Sequence, residues 1–341
     1  MDRATATPEL DHAWHALSRG AVFTPLASVE ALRVHGDDRL DFLQGQLAHD
    51  VRGLAVSQVQ RALLLDVKGH ARAEVSVQRA EGAIDLVVED GAAPWVRERL
   101  QRYVVFDQVE IDPLDGALTS FTVQGPEAFA TLQRTGLPVP SQGQTLEASV
   151  AGATVRLARA RRSEPGGVDL YVFGDGAGAL ASVVRRAGAV EAPWALLEAS
   201  RVAAGLPRAV PDAGAGVLPQ EAGLHDAFST RKGCYLGQEI MARLEARGRV
   251  KRALVGLRFE GAPPSATADG GTGHAGGASA RLPVLHGERS VGVLGTVAVH
   301  PVHGAIALAV LRRDVPQDAA LVVGGAPASV VPLPLTAQAV S

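Results

Sequence analysis

The sequence predicts an α+β protein that ends in a small all-β domain. Up to about residue 250, segments that alternate like strands are interspersed with segments whose apolar residues recur at helical spacing. After Lys251, short alternating segments are separated by glycine turns, which is typical of a small barrel or sandwich. With 47% hydrophobic and 20% charged residues, the 341 residues can bury a sizeable core.

The first block of the chain alternates between predicted strands and helices. A strand is predicted at 29–36, and a helix at 37–51 with Asp37 as its N-cap, because leucines then recur at helical spacing. Two strands within 59–80 surround a turn at Lys68–Gly69. The remaining elements of this block are a strand at 83–90, an amphipathic helix at 93–105 and a closing segment at 107–115.

A second unit begins near Leu118 with the pattern strand, turn, helix. Farther along, a helix at 193–207 is predicted to end at Gly205 and Pro207. Residues 261–280 are rich in Gly, Ala and Pro and are predicted to form a mobile loop. The other predicted elements are strands at 145–150, 153–161 and 168–173 and helices at 176–187 and 237–248.

The composition excludes several classes of protein. One cysteine cannot form an internal disulfide, and a net charge of -3 argues against a protein that coats nucleic acid. The N-terminal residues lack the apolar core of a signal peptide, and no apolar run approaches the ~18 residues that a membrane helix needs. We therefore expect a soluble cytoplasmic protein with no membrane partner.

The lone cysteine, Cys234, lies in the stretch "RKGCYLGQE" and is predicted to precede a helix N-terminus closely. The helix dipole, Arg231 and Lys232 would all favour thiolate over thiol. Gly233 and Gly237 would let the backbone turn tightly and leave room for a ligand or partner. The chain has only three lysines among its 33 basic residues, so Lys232 is a notable choice. The alternative is that Cys234 is a small buried hydrophobe.

Other chemistries stay open at this point. His225 is the base nearest to Cys234 in sequence, and Asp226 or Asp212 would be its orienting acid in a thiol hydrolase or acyltransferase. A single cysteine can supply only one ligand of an iron–sulfur cluster, which needs about four, so a cluster would be shared with a partner or be in transit.

Two further patterns are weak signals. The glycines of "GDGAGA" at 174–179 follow a strand as in dinucleotide sites, but the surrounding βαβ pattern is missing. The basic runs at 159–162 and 243–252 are expected to be solvated faces, so direct nucleic-acid binding is not expected.

The motif "KGCYLGQE" at 232–239 resembles the signature of the YgfZ family, the folate-binding, iron–sulfur-related branch of the glycine-cleavage T-protein (aminomethyltransferase) superfamily. The resemblance covers most of the chain. The other similar stretches are "VHGDDRLDFLQGQLAHDV", "LLLDVKGHARAEVSV", "FTVQGPEAFATL", "SRVAAGLPR" and "ARLEARGRVKRALVGLRF".

The resemblance implies a T-protein-like ring of three domains around a central cavity. A discontinuous folate-binding-type domain would comprise 20–115 and 190–250, a small α+β domain 116–189, and a C-terminal β-barrel 251–341. A tetrahydrofolate or a derivative would sit in the cavity with Cys234 at its edge. Family members support the assembly or repair of iron–sulfur enzymes, including radical enzymes that thiolate tRNA, so such enzymes or assembly factors are the expected partners of a monomer.

The resemblance also assigns roles to individual residues. Cys234 would be a reactive or ligating thiol whose pKa Lys232 depresses. Tyr235 would pack beside the folate or the partner, and Gln238 and Glu239 would bond the motif's backbone or the ligand. The residues expected to contact or make room for a cofactor or anionic partner group are Asp66, Lys68, Gly233, Gly237 and Arg243.

Two departures from the T-protein pattern argue against one-carbon transfer. The pterin-holding Glu of T-proteins is Ala203 here, and two acids of their hairpin fall near Ala73 and Glu74. We therefore expect an accessory factor rather than an enzyme. The alternative is a tetrahydrofolate-dependent aminomethyltransferase or demethylase.

Overall fold

The computed structural model describes residues 8–27, 29–114, 118–214, 216–246, 250–264 and 281–335. Eight helices lie in these ranges: α1 (Pro8–Arg19), α2 (Arg39–Gln46), α3 (Ala93–Gln101), α4 (Ala128–Arg134), α5 (Ala177–Arg186), α6 (Trp194–Ala203), α7 (Ala209–Ala213) and α8 (Gln238–Ala246). Most of the predicted loop at 261–280, and the predicted helix stop at Gly248, lie outside them.

The strands of the same ranges form a five-stranded sheet, a six-stranded sheet and a closed barrel. They are β1 (Val22–Leu26), β2 (Glu30–His35), β3 (Val59–Leu65), β4 (Ala71–Ala80), β5 (Ala83–Val88), β6 (Glu110–Pro113), β7 (Leu118–Gln124), β8 (Thr145–Val150), β9 (Ala153–Ala160), β10 (Gly167–Phe173), β11 (Val190–Glu191), β12 (Arg252–Phe259), β13 (Pro283–His286), β14 (Arg289–His300), β15 (Gly304–Arg312), β16 (Leu321–Val323) and β17 (Ala326–Val331).

The first sheet has the order β3-β4-β5-β2-β6, and α2 and α3 cover one face of it around a buried apolar core. Helix α2 is shorter than predicted. Leu47 adopts an extended backbone, and the Ala48 N–H donates to the Leu63 carbonyl of β3. The N-cap position is Asp38 rather than Asp37, and its carboxylate accepts from the Gln108 N–H at 2.8 Å instead of capping the helix.

The second sheet has the order β11-β1-β7-β10-β9-β8, with α4 and α5 packed on it. Strands β1 and β11, which the predicted boundaries assign to the first domain, belong to this sheet because β1 pairs with both β7 and β11. Strand β10 runs antiparallel to both of its neighbours, so the glycines that follow it do not belong to a parallel βαβ unit.

The two sheets meet through an apolar cluster and through polar side chains. The cluster joins Ala31 of β2 and Val87 of β5 to Ala158 of β9 and Tyr171 of β10. Arg156 of β9 donates to Asp85 of β5 at 2.8 Å and to Gln78 of β4 at 3.2 Å. Arg33 of β2 donates to the same Asp85 carboxylate at 2.8 Å. Buried ions need such mutual pairing, so the shared Asp85 carboxylate constrains how the two sheets lie against each other.

The C-terminal domain is a closed barrel with the order β12-β15-β14-β13-β16-β17. It contacts α6 and α7, and Asp212 of α7 lies at the junction with 1% of its surface exposed. The Asp212 carboxylate accepts from the Arg201 guanidinium at 2.9 Å and from the N–H of Thr296 in β14 at 2.8 Å. The predicted barrel is therefore present and is joined to the preceding segment by a buried acid.

Candidate functional site

The thiol-bearing segment lies across the end of α2 and beside the turn of the β3–β4 hairpin. At its start, the Ser229 N–H donates to the Ala48 carbonyl at 2.9 Å. Phe228 and Tyr235 are both buried in the apolar cluster that contains Leu63 and Leu65 of β3. The segment is thus anchored on both sides of Cys234.

Lys232 acts on the protein's own backbone. It is 8% exposed, and its ammonium donates to the carbonyls of Gln44, of Leu47 at 2.5 Å and of His49 at 3.1 Å. A helix's carboxyl end attracts cations, and its last carbonyls have no partner within the helix. Because all three donor hydrogens serve α2 and the residues after it, the structure supports a structural role for Lys232.

The surroundings of Lys232 predict a pH-dependent stability. Burial lowers the pKa of Lys232 to about 8 from 10.5, with Asp50 raising it and Arg52 lowering it. Between about pH 8 and pH 10.5 the unfolded chain binds more protons than the folded chain, so the free energy of unfolding rises with pH. Relative to Lys232→Met, wild-type stability should increase by up to about 1.4 kcal/mol per pH unit, measured by denaturant unfolding across this window. Parallel stability curves for the two proteins would contradict a lowered pKa of Lys232 in the folded protein.

Cys234 itself is exposed, as is Gly233 before it. The alternative that Cys234 is a buried hydrophobe is therefore wrong. Helix α8 begins at Gln238, whose N–H donates to the Tyr235 carbonyl at 3.2 Å. The thiol thus lies at the surface of a short loop between the buried Lys232 and the buried Tyr235, where it is open to a reagent or a partner.

Gly237 and Gly69 join this loop to the hairpin turn. Gly237 has a φ of 85°, and a Cβ built there would lie 2.6 Å from the Asp66 carbonyl oxygen and 3.2 Å from the Gly69 Cα. A Cβ on Gly69 would in turn lie 3.3 Å from Ile240 of α8. Gly237 and Gly69 therefore allow a close approach of two backbones, whereas a Cβ on Gly233 would meet no atom within 4 Å.

The remaining predicted contact residues divide into turn residues and helix residues. The Asp66 carboxylate accepts from the backbone N–H groups of Lys68 at 2.9 Å and His70 at 3.0 Å, which shapes the turn, and the Lys68 side chain is exposed. On α8, the Glu239 and Arg243 side chains approach to 3.7 Å and are 88% and 69% exposed. Such an exposed pair adds little stability and leaves both groups accessible.

The residues of a thiol-hydrolase triad are not brought together. His225 is exposed, and within the described residues no hydrogen bond connects it with Cys234. Asp226 pairs with Arg61 at 2.9 Å, and Asp212 pairs with Arg201 at 2.9 Å. Because both acids are held by arginines, neither orients a histidine base.

A cleft of about 250 Å³ beside the hairpin turn was not predicted from the sequence. Its walls are Leu65, Asp66 and Arg72 of the hairpin and Trp95, Glu98, Arg99 and Arg102 of and after α3. The only sequence signal was the arginine-rich polar side of the predicted helix at 93–105. Nothing in that pattern indicated that the hairpin turn would form the opposite wall.

The described residues contain one group that could hold a metal ion, and it does not involve the thiol. The side chains of His35, Glu110 and Asp112 converge on β2 and β6, where the carboxylates are exposed. Asp112 also lies 3.8 Å from Arg97. A cluster at Cys234 would therefore take its other ligands from outside the described part of the chain.

The three positions that the resemblance assigns to pterin recognition do not fit that role. Ala203 is buried and packs in an apolar cluster with Ile306 and Leu308 of the barrel. Ala73 is part of the first sheet's core. Glu74 is bound to Arg61 at 2.7 Å and to the Ala209 N–H at 3.1 Å, so its carboxylate is not free to orient or protonate a folate amine.

In the described part of the chain, no helix has the length and apolar character needed to cross a membrane.

Known proteins resemble this chain in sequence and in fold. A protein of Klebsiella pneumoniae (strain 342), "tRNA-modifying protein YgfZ", is 30% identical over 225 residues, which are 65% of this chain and 66% of that protein. A chloroplastic protein of Arabidopsis thaliana is 25% identical over 253 residues, which are 73% of this chain but only 59% of that protein. The crystal structure of glycine cleavage system aminomethyltransferase T from Bartonella henselae has a TM-score of 0.76 at 19% identity, covering 96% of this chain and 89% of that one.

The fold and family follow from these matches. The T-protein-like fold with its C-terminal barrel is confirmed by the Bartonella henselae structure and by the strand order observed here. The family model "GCVT N-terminal domain" matches residues 6–232. The chain therefore belongs to the GCVT N-terminal domain family, and its predicted resemblance to the YgfZ branch is confirmed.

Proposed function

We propose that this protein is an accessory factor that supports the assembly, repair or maintenance of iron–sulfur enzymes, including enzymes that thiolate tRNA. The observation that carries the proposal is the exposed Cys234 on a loop whose two flanks are fixed. The relative named as a tRNA-modifying protein supports the tRNA side of the proposal. The cytoplasm, where such enzymes work, is the proposed location.

The geometry assigns a simple role to each group of the motif. The Lys232 ammonium holds the loop to the end of α2, and Gly237 lets α8 start against the hairpin turn. Between these two fixed points Cys234 presents its sulfur to solvent. The chain has one cysteine, so it offers a single thiolate to a cluster or disulfide held by a partner.

The fold is related to folate-dependent proteins, and tetrahydrofolate or a derivative is the expected cofactor. The chain lacks the free acids with which T-proteins hold the pterin, because Ala203 is apolar and Glu74 is held by Arg61, so no step of the proposed role is assigned to folate. The same two residues disfavour the alternative function, a one-carbon transferase, which predicts turnover of tetrahydrofolate with a small amine.

The proposal is tested by restoring cells that lack their own family member with wild type or with Cys234→Ala. Thiomethylated tRNA and the activity of other iron–sulfur enzymes would be measured at equal protein abundance. We expect wild type to restore both and Cys234→Ala to restore neither, because the substitution removes only the exposed sulfur. Equal rescue by the two proteins, or rescue by neither, would contradict the proposed function.

A further inference from the structure

The cleft beside the hairpin turn contains a cation, Arg99, for which the described part of the chain supplies no counter-ion. Arg102 pairs with Glu98 at 2.7 Å, and Arg72 lies 3.9 Å from Asp66. Arg99, between them, has no carboxylate within 4.0 Å among the described residues.

The contacts that Arg99 does make are neutral. It donates to the Gln46 side-chain oxygen at 3.3 Å, and its guanidinium lies 3.9 Å from the centre of the Tyr103 ring. Burial lowers the pKa of Arg99, and the neighbouring Arg102 lowers it further, whereas Tyr103 raises it. An anionic group of a ligand or partner would therefore stabilise this half-buried guanidinium by pairing with it.

Exposed apolar residues, here called the rim, follow the cleft-lining residues along the chain. Tyr103, which stacks on Arg99, is 41% exposed, and the chain then leads to Val105 and Phe106, which are 69% and 96% exposed. On the opposite wall, Val67 follows Asp66 and is 70% exposed. Exposed aromatic and aliphatic side chains around a polar pocket are typical of protein interfaces, where aromatic residues are frequent anchors.

The same surface adjoins the thiol loop. Leu65 and Asp66 line the cleft, and they are also the residues against which Gly237 packs, with the Asp66 carbonyl oxygen only 2.6 Å from a Cβ built there. Only Leu65 and Asp66 therefore separate a molecule bound in the cleft from Gly237 of the loop that carries Cys234.

We propose that this cleft and rim form a docking surface for a partner protein, which inserts a carboxylate side chain beside Arg99 and covers Phe106 and Val105 with apolar side chains. The inference rests on the proposed function in one respect: it takes the partner to be the iron–sulfur protein that Cys234 serves. A small anion alone would fill the cleft but leave Phe106 in water. Nucleic acid is disfavoured because the carboxylates of Asp66 and Glu98 line the cleft.

The first measurement uses the rescue assay with Arg99→Gln, Phe106→Ser and, as a matched control, Val299→Ser. Val299 is an exposed valine of the barrel, 61% exposed and far along the chain from the cleft. We expect both cleft variants to lose at least about tenfold in rescue, as anchor residues do, while the control rescues fully. Full rescue by both cleft variants, with wild type active, would overturn the docking surface and leave the proposed function intact.

The second measurement does not depend on rescue. A photo-crosslinking phenylalanine analogue replaces Phe106 or, as a control, Val299 in the full-length chain in cells, with or without Arg99→Gln. Mass spectrometry should identify a protein adduct from position 106 that falls at least about tenfold with Arg99→Gln and is missing from position 299. Adducts with RNA, no adduct, or the same adducts from both positions would overturn the proposal, whether or not wild type rescues. Loss of rescue with Arg99→Gln alone, without a protein adduct, would indicate a small anionic ligand instead.

Discussion

Asp212→Ala should lower the free energy of unfolding by about 3 kcal/mol, because it removes one of the two carboxylates that pair with the buried Arg201 and leaves buried donors without an acceptor. Arg201 keeps its pair with Glu198 at 2.9 Å. Arg201 is 4% exposed and donates to Asp212 at 2.9 Å. The same carboxylate accepts from the Arg208 N–H and from both donors of Thr296, so α6, α7 and the barrel all lose a contact. Denaturant unfolding measures the loss.

A matched control is Asp226→Ala, which also removes an acid paired with an arginine. Asp226 is 66% exposed, and its partner Arg61 keeps Glu74, so a loss within about 1 kcal/mol is expected. Equal losses for the two variants would contradict the special role of Asp212.

The Asp212 contribution also has a pH dependence of known sign. Burial alone would raise the pKa of Asp212, but Arg201 and the N–H donors of Arg208 and Thr296 together lower it below 3.8. Its contribution to stability is therefore complete above about pH 3.8 and is lost as the pH falls through the folded-state pKa.

Gly237→Ala should cost about 3 kcal/mol and abolish rescue. A left-handed backbone costs a residue with a side chain about 1 to 2 kcal/mol, and forcing a methyl group against the Asp66 carbonyl costs about as much again. Relief of that clash requires α8 to move away from the hairpin turn, which displaces Cys234. Thermal unfolding and the rescue assay would measure the two effects.

Gly233→Ala is the matched control for stability, because it lies in the same motif. A Cβ at Gly233 meets no atom within 4 Å, and its φ is not positive. Its stability should stay within about 0.5 kcal/mol of wild type. A similar loss of stability in both variants would show that any added methyl group destabilises the motif. The close approach at Gly237 would then not be the cause of the loss.

Local features of this chain could be predicted from the sequence because neighbouring residues determine them. The turn at Lys68–Gly69 is present, and α8 begins at Gln238, within one residue of the predicted start. Apolar periodicity and turn glycines carry that information within a few residues.

Long-range contacts could not be predicted in this way. The acceptors of Lys232 lie 183 to 188 residues earlier in the chain. The sequence around the thiol suggested an electrostatic effect of Lys232 on Cys234 and gave no sign that its ammonium would bind the end of α2. The cleft likewise needs α3 to lie beside the hairpin turn, and strands β1 and β11 join a sheet formed mainly by later residues. Each of these depends on which elements meet, and a single sequence carries no direct signal for that.

The single, solvent-facing thiol has a practical consequence for anyone who purifies this protein. Oxidation of Cys234 leaves only a few products: two chains joined through their sulfurs, one chain carrying a small thiol, or a sulfur oxyacid. A doubled mass identifies the joined pair, and a thiol adduct adds its own mass, whereas one oxygen on Cys234 adds the same mass as one on Met1 or Met241. Intact mass after labelling with a thiol reagent therefore counts the chains whose Cys234 is free to meet a partner before any assay begins.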